Sequence, residues 1–174
     1  MINHYEELLT GGHPNSLGNT EMVVAEVLQD HDKFADLYDC YQSPDAVVRL
    51  RVSSAMQRIC RAKPDWILGY MDKIQSEIAN LDQPSAKWTL AKMFMWLDSS
   101  LTDKQTQRAI EIMKHNLETD LDWIVQNTTA ESLAHFAKSD PNLRDWLIPQ
   151  LHKMTSSKHN SVARRAHKLL ATMK

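Results

Sequence analysis

Apolar residues recur at three- and four-residue steps almost throughout this chain, and no stretch sustains the apolar–polar alternation of a half-buried strand. The pattern predicts helices from end to end. A short helix carries Tyr5, Leu8 and Leu9; the Gly-, Pro- and Asn-rich stretch Gly11–Thr20 follows as a loop, read as a slack linker. Thr20 is expected to cap a helix bearing Met22, Val23, Val24, Val27 and Leu28, and the next carries Phe34, Leu37, Tyr38 and Tyr41. From there the punctuation is regular. Pro44, Pro64, Pro84 and Pro141 each stand where a helix pattern begins, a position at which the missing N–H costs no intrahelical bond. Thr102 and Gln105 have the spacing of a capping box.

The helices repeat. Val48, Val52, Ala55, Met56 and Ile59 match Ala86, Leu90, Met93, Phe94 and Leu97; then Val125, Thr129, Ser132, Leu133 and Phe136; then Val162, Ala166, Leu169, Leu170 and Met173, at steps of 38, 39 and 37. The preceding helices also match, with Asp65-Trp66-Ile67-Leu68 against Asp145-Trp146-Leu147-Ile148. In that register Gly69 falls on Pro149, which predicts a bend in both copies. The expected organisation is a single domain over 1–174. It holds an N-terminal segment and loop over 1–19, an extra helix over 20–30, and helix pairs over 31–62, 64–98, 102–138 and 140–174. One pair cannot bury both faces of its helices, so each needs neighbours.

Asp45–Ile59 (DAVVRLRVSSAMQRI), Asp122–Phe136 (DWIVQNTTAESLAHF) and Ser161–Leu170 resemble the second helix of a HEAT repeat. The resemblance covers about residues 31–173, and its motifs specify packing rather than chemistry. Thr129 and Ser132 depart from it, standing where that family prefers alanine or an aliphatic residue. It implies an all-α fold: a right-handed α-α superhelix of about four helix pairs, with the second helices lining a concave face. Relatives of that kind include scaffolds, adaptors, bilin-lyase accessory subunits and DNA glycosylases of the alkylation-repair type, and fold does not choose among them.

Composition narrows the partners. The chain has 174 residues and a formal net charge of -2, whereas a protein dedicated to duplex nucleic acid is usually basic overall. No apolar run is long enough to span a bilayer, and the acidic start MINHYEELL does not read as a secretory signal, so a cytoplasmic protein without a membrane partner is expected. Cys40 and Cys60 are expected as buried free thiols, unpaired in a reducing compartment. The eight histidines show no pairing with the cysteines at metal-ligand spacing, and no CxxC, phosphate-cradling glycine motif or nucleophile elbow occurs, so no metal, cofactor or catalytic residue is expected.

One surface remains. In the repeat register Trp96 aligns with Arg58, His135 and Thr172; Lys92 with Ser54, Glu131 and Lys168; and Thr89 with Arg51, Thr128 and Arg165. If the second helices face one way, one ridge carries Arg51, Arg58, Lys92, Trp96, His135, Arg165 and Lys168, with Glu131 the one acid. A basic strip with an aromatic suits an acidic peptide, a phosphate or a nucleic-acid backbone. The expected function is a non-enzymatic interaction module or adaptor with a protein or acidic-peptide partner. The alternatives are a nucleic-acid binder or glycosylase using Trp88, Trp96 and Glu131, and a bilin-lyase-like accessory subunit.

Overall fold

A computed structural model describes residues 3–173; Met1, Ile2 and Lys174, included in the expected first and last segments, lie outside the described residues. All regular structure among the described residues is helical, with no strand. The helices are α1 (His4–Leu9), α2 (Thr20–Gln29), α3 (Lys33–Asp39), α4 (Ala46–Ala62), α5 (Pro64–Gly69), α6 (Met71–Ser76), α7 (Pro84–Leu97), α8 (Asp103–Thr119), α9 (Trp123–Phe136), α10 (Pro141–Met154) and α11 (Asn160–Thr172). Single 3-10 turns follow α3, α6 and α7. None of these helices is long and apolar enough to cross a membrane. The chain groups into two compact units, Met1–Thr89 and Leu90–Lys174, and the division falls inside α7.

The repeat phase is a physical feature of the helices. Val48, Ala86, Val125 and Val162 are each the third residue of their helix, and each is 0% exposed. The matched positions continue at seven, ten, eleven and fourteen, the stripe that a 3.6-residue turn brings to one face. All of these are buried in α4, α7 and α9; in α11 Val162 and Ala166 are buried and Leu169 and Leu170 half-buried, and the fourteenth position, Met173, is the half-buried residue capping the helix. Each fully buried aliphatic of this stripe contributes about 1.5–3 kcal/mol through removal from water.

In the first unit, α4 is the centre. Helices α1, α2 and α5 and the turn at Cys40–Gln42 all pack on it. Asp45 starts α4 by accepting a hydrogen bond from the Val47 N–H at 2.8 Å. Pro44 therefore precedes the cap rather than opening the helix, unlike Pro64, which stands at the start of α5. Thr20 likewise is not a cap: it is the first residue of α2, and its hydroxyl donates to the Leu17 carbonyl. Gly69 ends α5, and Tyr70 separates it from α6, so the expected interruption is present in this copy. Trp66 closes the junction between α3 and α5, with its ring edge-on to His31 at 4.6 Å and near Phe34 at 6.1 Å.

In the second unit, α8 packs on α9, and α11 packs on both α10 and α9. The capping box at Thr102 and Gln105 forms with both of its reciprocal bonds. Asp122 caps α9 and Asp140 caps α10, where Pro141 takes the first helical position. Helix α10 runs unbroken past Pro149, so the two copies differ at this point. The indole of Trp146 lies beneath Lys114, whose Nζ is 4.4 Å from the ring centroid. Trp123, at the start of α9, is 46% exposed, beside a more exposed Leu121.

Candidate functional site

The seven ridge residues have different fates, and Arg51 departs furthest from expectation. Only 2% of it is exposed. Its Nε donates to the Ser16 carbonyl at 3.1 Å, Nη1 to those of Leu9 at 2.6 Å and Gly11 at 2.7 Å, and Nη2 to that of His13 at 3.2 Å. Among the described residues no carboxylate lies within ion-pair distance of this guanidinium. The stretch read as a slack linker is thus a built loop wrapped round a buried cation. Gly11, Gly12 and Gly18 adopt positive φ of 72°, 73° and 51°, the left-handed conformation that glycine enters most cheaply. Thr10 ties the loop to α4 as well, its hydroxyl donating to Asp45 Oδ2 at 3.0 Å. Arg51 consequently leaves the solvent-facing ridge.

Arg58, also in the first unit, is half-buried; its Nη1 donates to Ser54 Oγ at 2.6 Å, and Nη2 lies 3.8 Å from Glu21. Trp88 borders a cavity of about 300 Å³ with Leu50, Ser54, Gln57 and loop residues Pro14–Leu17. Lys92 and Trp96 are half-buried on α7, and Lys168 is exposed on α11. The remaining two, His135 and Arg165, meet the same feature of the second unit.

That feature is an open groove of about 470 Å³. Its apolar lining is Met95 from α7, Ala134 and Ala137 from the end of α9, and Leu169 and Met173 from the end of α11. Glu131 and His135, one helical turn apart on α9, add polar groups, and Lys138 and Arg144 stand at the α9–α10 corner. Glu131 on the groove, and Asp98 beside its His135, are engaged internally. Glu131 Oε1 accepts from Arg165 Nη1 at 2.8 Å, and Asp98 Oδ2 lies 2.9 Å from His135 Nε2. The exposed Lys138 and Arg144 have no ion pair among the described residues. Lys138 and Arg144 therefore outweigh Glu131 and leave the groove's lining net positive.

Sequence reasoning reached His135, Arg165 and Glu131 through the repeat register and missed Asp98, Lys138 and Arg144. Those three lie at or beyond helix ends, outside the repeated stripe, where the register has no information. Glu131, the carboxylate of the glycosylase alternative, accepts from Arg165. The cysteines are free and buried. Burial pushes the Cys40 thiol up to about 12 and that of Cys60 up to about 11, the latter despite the opposing charge of Arg61. Neither is poised as a nucleophile at neutral pH. No group of His, Cys, Asp and Glu among the described residues is arranged to hold a metal ion. No protein-family model matches this chain, and no curated protein matches it significantly.

Proposed function

We propose that this chain is a non-enzymatic interaction module built from HEAT-like helix pairs, and that it holds a segment of a partner protein in the groove of its second unit. The observation that supports this most is the convergence of α7, α9 and α11 on one open groove lined by both apolar and charged side chains. Such a channel accepts side chains from an extended or helical peptide without a catalytic group being required. The methionines on its floor can repack around side chains of different shape. The two free buried thiols suit a reducing compartment such as the cytoplasm.

The test is site-specific photo-crosslinking in the native cell, with a benzophenone amino acid at Thr172 on the groove or at His115, exposed on α8. The proposal expects one discrete crosslinked product from Thr172 and none from His115. Crosslinking from His115 with none from Thr172 contradicts it.

A further inference from the structure

The groove's own charge arrangement selects its occupant. A cationic segment would compete with Arg165 for Glu131 and with His135 for Asp98. A carboxylate meets no such competition, because Lys138 and Arg144 are exposed beside the apolar floor and engaged in no ion pair among the described residues. Arg144 can bind a carboxylate through two parallel N–H bonds, and Lys138 adds a mobile point charge. The groove's apolar lining is Met95, Ala134, Ala137, Leu169 and Met173. Ala134 in the last turn of α9 and Ala137 at its C-cap stand three residues apart, and their short side chains leave room for an incoming apolar group.

We infer that the groove takes a partner segment in which acidic side chains stand next to large aliphatic ones. The carboxylates meet Lys138 and Arg144, and the aliphatic side chains fill the methionine-lined floor. The inference rests on the reading of the groove as a protein-binding channel and adds its chemistry. A nucleic-acid backbone would use the two cations and leave the floor uncovered. The chain's net charge of -2 also opposes a long polyanion.

The experiment is fluorescence anisotropy with the full chain and three short fluorescein-labelled peptides. One alternates glutamate with leucine, the second has glutamine for glutamate, and the third has alanine for leucine. The expected result is binding of the glutamate–leucine peptide, weakened by moderate salt, with both other peptides at least about tenfold weaker. Lys138→Glu with Arg144→Glu should also weaken the first peptide by about tenfold or more, and Lys138→Gln with Arg144→Gln by less. Both residues are exposed, and circular dichroism establishes that the variants remain folded. Equal binding of the glutamine peptide overturns the acidic preference while leaving the channel reading in place, as does a charge-reversed variant that binds like the wild type. Failure of all three peptides at millimolar concentration overturns both. Tighter binding of a duplex oligonucleotide, lost in the charge-reversed variant, assigns the groove to the other class of ligand and overturns the inference.

Discussion

A Cβ built on Gly18 would fall 2.9 Å from the guanidinium carbon of Arg51, closer than packed atoms come. Gly18 also has a φ of 51°, so two independent constraints meet there. Gly11 supplies the control, because its φ of 72° is equally left-handed but nothing lies within 4 Å of its missing Cβ. Gly11→Ala should therefore cost only the left-handed penalty, about 1–2 kcal/mol. Gly18→Ala should cost at least about 1 kcal/mol more, because Arg51 must shift. Urea unfolding of the two variants measures the difference, and equal costs would mean that the loop does not close on Arg51.

Arg51 is the second lever on the same loop. Its three nitrogens serve five carbonyls, from Leu9 at the end of α1 and from Thr10, Gly11, His13 and Ser16 after it, a geometry that one ammonium cannot copy. Arg51→Lys is expected to lose about 3 kcal/mol of stability, near the lower end for breaking a buried charged network. It should also open residues 11–18 to limited proteolysis under native conditions. A lysine variant as stable and as protease-resistant as the wild type would contradict the account.

The start of α4 should be sensitive to acid. The Val47 N–H, helped by Thr10 and the charge of Arg51, holds the Asp45 carboxyl below the ordinary aspartate value of about 3.9. A group whose folded pKa is depressed stabilises the fold above its unfolded pKa, and that stability is lost as pH falls through the folded value. The stability gap between wild type and Asp45→Asn should thus be full at neutral pH and shrink below about pH 4. A gap that is unchanged at pH 3, or that grows on acidification, would contradict this.

Thr129 and Ser132 occupy the seventh and tenth positions of α9, fully buried, and their hydroxyls lack a hydrogen-bond partner among the described residues. Thr129→Val removes the orphaned oxygen at nearly constant volume and should raise stability by up to about 1 kcal/mol. A loss of similar size, read from the urea midpoint, would show that the hydroxyl is paired after all.

These residues also mark where the sequence was legible. The stripe at positions three, seven, ten, eleven and fourteen is local to each helix, so periodicity alone located it, and Pro64, Pro84 and Pro141 marked helix starts because their chemistry is local too. The loop at 11–18 was hidden because its stability comes from Arg51, some forty positions further on. Composition identifies a loop but not what holds it. The register equated Arg51 with Arg165, yet one is enclosed by the N-terminal loop and the other pairs with Glu131 on its neighbouring helix. Lys138 and Arg144 lie in the α9–α10 connection and the first turns of α10, which no repeat of the second helix can align.

Cysteine substitution at the four third positions tests the recurring phase most directly. Single Val48→Cys, Ala86→Cys, Val125→Cys and Val162→Cys variants are mixed with a thiol reagent under native conditions, the buried Cys40 and Cys60 serving as internal references. If one phase buries the same face of α4, α7, α9 and α11, all four new thiols react only as the protein unfolds. Reaction of any of them at the rate of a free thiol in a folded variant would mean that the four helices do not share a buried face, and the groove built on three of them would go with it.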